Sequence, residues 1–180
     1  MNPELMTEKL QDILMKALSI LNERNNPELT SEHMLAAFLN EGDIQELLNS
    51  FKTDVNKLIE INDSYLNKLP SSSSSNNPGV DRYLYNSYNE ALNNSKKRND
   101  KYISMFDMFI SLIFNDSPVC NEIRKHCNFT KEDLLDRYNL ERGDTMINQR
   151  EDENNLNPLK KYGRNLVDDV RIGKIDPVIG

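Results

Sequence analysis

The chain of 180 residues is long enough for one domain with a hydrophobic core and a tail. Its formal net charge of −7 disfavours a nucleic-acid partner, because affinity for phosphate backbones depends largely on clustered lysine and arginine. No apolar stretch approaches the roughly 20 residues of a membrane helix. The first residues also lack the basic and apolar regions of a secretory signal, so we expect a cytoplasmic protein that binds no membrane.

The first predicted helix opens at Pro3 and Thr7. Apolar residues recur along it at spacings of three and four, which predicts one buried stripe on an α-helix. The stripe consists of Met6, Leu10, Ile13, Leu14, Ala17 and Leu21. Asn25-Asn26-Pro27 ends the helix, because a proline there cannot continue it.

Three further helices are predicted before residue 70. Thr30 precedes an apolar run from about residue 31 to residue 40, and its hydroxyl can accept a hydrogen bond from a free backbone N–H as an N-cap. His33 lies in this run without a cysteine or serine partner in any recognisable signature, so we assign it a capping or packing role. A shorter helix carries Ile44, and Thr53 is predicted to cap the fourth.

A linker is predicted from Pro70 to Gly79, a run rich in serine and asparagine. After it the first pattern recurs at a constant offset of 74 positions, for example from Thr30 to Ser104. Ser104 is therefore the equivalent N-cap, and Asp107 is placed to complete a reciprocal cap with it. Recurrence at one offset indicates a supersecondary unit written twice.

Four helices are predicted in the second unit, and they begin near Val80, Ser104, Pro118 and Thr130. The alternation of period two that marks strands is absent throughout. The sequence therefore predicts an all-α fold of two pseudo-twofold-related four-helix repeats. The repeats cover about residues 1–69 and 80–140, within a domain of residues 1–140.

No metal site or catalytic constellation is predicted. Cys120 and Cys127 flank His126, but a zinc site needs four ligands, and only one other histidine, His33, occurs in the chain. We interpret both cysteines as structural thiols and expect no disulfide. The adjacent carboxylates at residues 168–169 point about 100° apart on a helix and do not converge as an acid–base pair.

Beyond residue 140 the composition changes twice. Residues 141–157 are polar and charged with almost nothing apolar, which we interpret as a flexible interdomain linker. Residues 158–180 then show a helical apolar pattern that stops at Gly173.

Two motifs resemble a known family. The doubled unit, with Thr-Glu-Lys-Leu at residues 7–10 and Thr-Ser-Glu-His-Met-Leu at residues 30–35, resembles the Clp N-terminal repeat domain. Lys-Tyr-Gly-Arg-Asn-Leu at residues 161–166 and Gly-Lys-Ile-Asp-Pro-Val-Ile-Gly at residues 173–180 resemble the start of the first AAA+ module of ClpB-type chaperones. The resemblance implies that residues 158–180 are a truncated start of that module.

The resemblance implies a function in protein disaggregation. ClpB-type proteins are homohexameric ATPases that work with the Hsp70 chaperone system and thread aggregated polypeptide through a central pore. Their N-domain engages unfolded or aggregated polypeptide. The alternative is an adaptor-docking N-domain of a ClpC/ClpA-type protease unfoldase.

ATP and Mg²⁺ are expected to bind only in a full-length protein. The 180 residues contain no Gly-x-x-x-x-Gly-Lys-Ser/Thr loop, whose N–H groups and lysine would neutralise the phosphates. In the family, Val178 and Ile179 would lie near the adenine ring, but they cannot bind a nucleotide alone. The chain itself is thus expected to be a monomer without enzymatic activity.

The resemblance also implies a polypeptide-binding surface, formed by a threonine at the start of the first helix and acidic residues near the start of the second repeat. Thr7 matches the threonine and Asp100 matches the first acid. Phe106 falls where the second acid is expected, so a charge is lost and an aromatic ring is gained. If exposed, Phe106 would offer an unfolded chain an apolar anchor.

Overall fold

The computed structural model describes residues 1–72 and 77–156. Within these ranges the chain forms eight α-helices, which confirms the predicted all-α class. They are α1 (Glu8–Arg24), α2 (Ser31–Leu39), α3 (Gly42–Ser50), α4 (Val55–Leu66), α5 (Arg82–Lys97), α6 (Met105–Ile113), α7 (Pro118–Arg124) and α8 (Lys131–Arg142). Two short 3₁₀ helices cover Pro3–Leu5 and Asp152–Asn155. The expected AAA+ start at residues 158–180 lies outside the described residues.

Two short parallel backbone pairings join the repeats, which corrects the expectation of a chain without strands. Strand β1 (Glu28–Leu29) lies beside β2 (Gly79–Val80), with Leu29 opposite Val80. A single bridge pairs Met6 with Ile103. Strands of two residues are too short to show the alternation by which a strand is recognised in a sequence.

The repeat exchanges these two pairings. The offset of 74 positions carries Met6 to Val80 and Leu29 to Ile103, so the Met6–Ile103 pair and the Leu29–Val80 pair map onto each other with the repeats swapped. Only a twofold rotation exchanges the two repeats in this way. The two repeats are therefore related by a pseudo-twofold axis, as the sequence predicts. We call the two pairings the Met6 seam and the Leu29 seam.

The core lies between the second helices of the two repeats. All nine residues of α6 are buried, which is typical of a helix packed on every side. The helix contacts α1, α2, α5, α7 and α8. The rings of Phe38 in α2 and Phe109 in α6 lie 5.4 Å apart between centroids. One continuous core therefore spans both repeats.

Most predicted helix starts are confirmed by hydrogen bonds. Thr7, Ser104 and Thr130 each accept, through the side-chain hydroxyl, a hydrogen bond from the backbone N–H three residues later. Asp107 does not complete the reciprocal cap expected at Ser104, because its carboxylate pairs with Arg98 instead.

The cap of α4 differs from the prediction. Asp54, and not Thr53, is the N-cap, and its carboxylate accepts from the backbone N–H of Lys57. Thr53 is buried, and its hydroxyl has no hydrogen-bond partner in the part of the chain that the structure describes. Threonine and aspartate are both good N-cap residues, so the sequence alone does not show which of the two begins α4.

His33 has the capping role that the sequence predicts. Its Nδ1 accepts a hydrogen bond from the Thr30 N–H at 3.0 Å, so Nε2 carries the proton and donates to Asn26 Oδ1 at 2.8 Å. Burial lowers the pKa of His33 to about 4, which keeps the ring neutral. The imidazole thus links the segment after α1 to the start of α2 through two hydrogen bonds.

Residues 143–156, which we call the strap, return from α8 to the Met6 seam. Ile147, Glu153 and Leu156 are buried against the domain. The prediction of a flexible linker over residues 141–157 is therefore wrong for residues 141–156. The folded domain extends past residue 140, because two aliphatic side chains and one buried carboxylate hold this polar segment in place.

Candidate functional site

All three residues predicted to bind polypeptide are buried. The exposed fraction is 0 % for Thr7, 8 % for Asp100 and 1 % for Phe106. The structure brings Thr7 and Phe106 together at the Met6 seam through a shared partner, Glu153. Asp100 lies in a neighbouring ion pair. The three positions that the resemblance implies for polypeptide binding therefore lie inside the domain.

Phe106 is a core residue, so the exposure on which its role as an aromatic anchor depends is absent. Its ring centroid lies 5.6 Å from that of Tyr138 in α8, with the ring planes 30° apart. Because α6 is buried on every side, a side chain at this position has no route to solvent. The contact packs the second helix of the repeat against the fourth.

Glu153 supplies a carboxylate to the start of α6. Its Oε1 accepts from the Thr7 hydroxyl at 2.5 Å and from the Met105 N–H at 2.7 Å, and its Oε2 accepts from the Phe106 N–H at 3.2 Å. A helix N-terminus favours negative charge there. Burial nevertheless raises the pKa of Glu153 to about 7.

Sequence reasoning missed Glu153. It is 146 residues from Thr7 and lies in a run of acids whose composition indicates a solvated segment. The indication in the sequence is the missing acid at position 106. Without it, the start of α6 has no acid of its own there, so a carboxylate from elsewhere in the chain could be expected.

A buried ion pair holds the other end of the strap. Arg142 donates to both carboxylate oxygens of Asp100, at 2.5 and 2.6 Å, and to the Thr145 carbonyl at 2.7 Å. Asp100 also accepts from the Ile147 N–H at 3.0 Å. The expected acid at position 100 therefore fixes α8 and the strap to the segment between α5 and α6.

A second ion pair contacts the same aromatic ring as the first, that of Tyr138. Arg98 binds both oxygens of Asp107, at 2.6 and 2.8 Å, and its guanidinium lies 5.0 Å from the Tyr138 ring centroid. The Tyr138 hydroxyl donates to Ser104 Oγ at 2.6 Å. Burial raises the pKa of Asp107 to about 6, although Arg98 opposes the shift.

The solvent-facing side of this cluster is partly apolar. A cavity of about 310 Å³ lies at the end of α8, and its lining includes Arg98, Asn139 and Met146. Met146 is 44 % exposed, and Leu140 of α8 is 65 % exposed. We call this the α8 surface, defined by Arg98, Asn139, Asp144 and Met146 of the cavity lining together with Leu140, the exposed residue that follows Asn139 on α8. It combines exposed aliphatic side chains with a polar rim.

Neither a cluster of metal ligands nor a thiol of lowered pKa occurs among the described residues. No group of three or more histidine, cysteine or acidic side chains in residues 1–72 and 77–156 could hold a metal ion. Both cysteines are free, and burial raises the pKa of Cys120 to about 12 and of Cys127 to about 11, which favours the protonated thiol at neutral pH. None of the helices in those ranges could cross a membrane.

Two helical repeats joined by paired seams define a Clp-type N-domain. The chain belongs to the family described as the Clp repeat (R) N-terminal domain, whose model matches residues 5–127.

Among curated relatives, chaperone protein ClpB of Bacillus cereus is 29 % identical over 97 % of this chain and 21 % of its own length. That of Staphylococcus epidermidis is 30 % identical over 97 % of this chain and 20 % of its own length. The chain thus spans about one fifth of these relatives.

Solved structures share the fold at low identity. The N-terminal domain of Hsp104 from Candida albicans matches with a TM-score of 0.69 and 19 % identity, over 82 % of this chain and 97 % of that one. A ClpV N-domain in complex with a VipB peptide matches with a TM-score of 0.61 and 17 % identity, over 77 % and 87 %. The N-domain of ClpD from Arabidopsis thaliana, a caseinolytic protease associated chaperone, matches with a TM-score of 0.57 and 16 % identity, over 76 % and 93 %.

Proposed function

We propose that this chain is the substrate-engaging N-domain of a ClpB-type disaggregase. In the full-length homohexamer it would bind unfolded or aggregated polypeptide, which ATP-driven threading then extracts together with the Hsp70 system. The observation that carries the proposal is the reach of the similarity to ClpB chaperones. It covers 97 % of the chain, so it continues beyond the repeats into the tail that resembles an AAA+ start.

The α8 surface supports the binding step. Leu140 and Met146 expose aliphatic side chains, and methionine adapts to many apolar partners. Arg98 and Asp144 at the rim can meet polar groups of an unfolded segment. A surface of this size binds one segment weakly, so several copies in a hexamer would be needed for useful avidity.

ATP and Mg²⁺ belong to the proposed full-length protein. Val178 and Ile179, which would lie near the adenine, are outside the described residues. Because the sequence contains no phosphate-binding loop, no residue of this chain is given a role in hydrolysis.

The proposal is tested by binding of the 180-residue chain to a fluorescent, permanently unfolded casein-like polypeptide. We expect saturable, weak binding that Leu140→Asp and Met146→Asp each reduce severalfold. Met15→Asp is the matched control, because Met15 is as exposed as Leu140 but lies on α1. Unchanged binding by both α8-surface variants would exclude this surface, and no binding of unfolded polypeptide at all would contradict the function.

The second candidate is docking of a folded adaptor, as in ClpC/ClpA-type unfoldases. The structural likeness to the N-domain of ClpD, a protease-associated chaperone, supports it. The same assay separates the two. A folded adaptor that binds one-to-one, without competition from unfolded casein, would favour this second function.

A further inference from the structure

The cavity at the end of α8 is lined by a buried arginine that keeps one donor unpaired. Arg142 is 3 % exposed, and its Nη1 and Nη2 both donate to Asp100. Its Nε–H is buried as well and has no hydrogen-bond partner among residues 1–72 and 77–156. A buried donor without a partner is costly, so an acceptor from outside the domain gains a hydrogen bond there.

The hydrogen bonds of Arg142 orient this Nε–H toward the cavity. A guanidinium is a planar fork, and the Nη2 hydrogen that does not face Asp100 lies on the same edge as Nε–H. That hydrogen is donated to the Thr145 carbonyl, 2.7 Å from Nη2. Thr145 lines the cavity beside Gly143 and Met146, so Nε–H faces the same side.

The rest of the cavity offers an acceptor and an apolar border. Asp144 is an exposed acid in the lining, and Met146 is an exposed apolar residue there. Leu140 of the α8 surface is exposed as well. The volume of about 310 Å³ is sufficient for one side chain of a bound segment. Such a side chain meets one donor, one acceptor and aliphatic neighbours.

The charges around the cavity favour a neutral ligand over an anion. Arg142 is already paired with Asp100. Arg98 is likewise paired with Asp107. Asp144 adds a further negative charge, and the last carbonyls of α8 form the negative end of the helix dipole. A carboxylate would therefore be repelled where a neutral group of the same shape is accepted.

We propose that this cavity binds the side-chain amide of a glutamine or asparagine that neighbours an aliphatic residue in an unfolded segment. The amide oxygen accepts from Arg142 Nε, and the amide NH₂ group donates to the Asp144 carboxylate. The aliphatic neighbour packs against Leu140 and Met146. This inference rests on the proposed polypeptide-binding function and names the kind of segment that the α8 surface selects.

Close analogues of glutamine each lose one of these contacts. A methionine of similar length leaves the Nε–H of Arg142 unpaired, which lowers its affinity. A glutamate can accept from Nε, but it faces the negative charge of Asp144 instead of donating to it. The cavity thus discriminates by hydrogen bonding and charge, and much less by size.

The experiment measures the anisotropy of three fluorescent peptides with the 180-residue chain. They carry Gln, Glu or Met at one central position between leucines and are otherwise identical. The glutamine peptide should bind at least about fivefold more tightly than either of the others. Asp144→Asn should remove most of the preference for glutamine over glutamate. Asp136→Asn, which changes another exposed acid on α8, is the matched control and should keep that preference.

The comparison of the three peptides uses the wild-type chain, so it does not depend on the folding of a variant. Equal binding of the three peptides would overturn the inference. So would a preference for glutamine that Asp136→Asn, folded by circular dichroism, reduces as much as Asp144→Asn. If the chain binds casein but binds none of the peptides, or does not distinguish them, this inference fails and the proposed function stands.

Discussion

The Arg142 guanidinium donates two hydrogen bonds to the Asp100 carboxylate inside the protein. Arg142 ends α8, and Asp100 lies between α5 and α6, so the pair closes the second repeat upon itself. Both side chains are buried, and Asp100 also binds the strap through the Ile147 N–H. Removing one partner leaves a buried charge without compensation.

Arg142→Ala is therefore expected to lower the free energy of unfolding by about 3–5 kcal/mol, measured by urea denaturation. Lys125→Ala is the control, because it removes an exposed pair with Glu122 and should change stability by less than about 1 kcal/mol. Similar effects of the two substitutions would contradict the structural role of the buried pair.

Phe106→Ala should destabilise the domain strongly. The ring is buried against Tyr138, so its loss leaves a cavity and should cost about 3–5 kcal/mol by thermal or urea unfolding. Leu140→Ala, at an exposed site, should stay within about 0.5 kcal/mol. A melting temperature that survives Phe106→Ala would place the ring outside the core.

The contribution of Glu153 and Asp107 to stability should fall as pH rises from about 4 to above 7, while the lowered pKa of His33 acts in the opposite direction up to its ordinary value of 6.5. Burial raises the pKa of Glu153 from 4.5 to about 7 and that of Asp107 from 3.8 to about 6, so the folded chain holds these protons more tightly than the unfolded chain. Their contribution is fully present below the unfolded values and is lost as pH passes the folded values.

Glu153→Gln tests this pH dependence. It should reduce the loss of unfolding free energy between pH 4.5 and 8 by on the order of 2 kcal/mol. Glu151→Gln, an exposed change in the same strap, should keep the full pH dependence. Urea midpoints across this pH range provide the measurement, and parallel curves for wild type and Glu153→Gln would refute the assignment.

Amide hydrogen exchange should show that the strap, residues 143–156, is packed against the domain in solution. The Ile147 N–H donates to buried Asp100, whereas the Asn148 N–H donates to the exposed side of Asp152. We expect slow exchange at Ile147 and faster exchange at Asn148. Exchange at Ile147 as fast as in an unstructured peptide would mean that the strap is open in solution.

The two repeats should unfold together. The Phe38–Phe109 contact and both seams cross between them, so neither repeat keeps its core alone. Urea unfolding followed by tyrosine fluorescence and by far-ultraviolet circular dichroism should give coincident single transitions. Two separated transitions would indicate independent repeats.

The sequence predicted the features that depend on local helix capping and on the internal repeat. Thr7, Ser104 and Thr130 begin helices because a hydroxyl three residues before a free N–H is a local signal. The offset between the repeats predicted the pseudo-twofold arrangement, since equivalent residues occupy equivalent places in both halves.

The errors concern contacts between residues distant in sequence. Composition marks residues 141–157 as solvated, yet Glu153 is held by Thr7 from the other end of the chain. Helical position alone left the exposure of Phe106 undecided, because α6 is surrounded on all sides only after both repeats have packed. Burial of this kind depends on the tertiary structure.

The exchange of partners between the Met6 and Leu29 seams has an evolutionary consequence. Two identical subunits about a true twofold axis would have two identical seams, and every substitution would change both. With both repeats in one polypeptide, each seam accumulates substitutions independently. Selection can therefore preserve Glu32, the second residue of α2, while the equivalent position 106 in α6 changes, provided that the strap keeps Glu153. Among relatives, loss of an acid at 106 should accompany gain of one at 153.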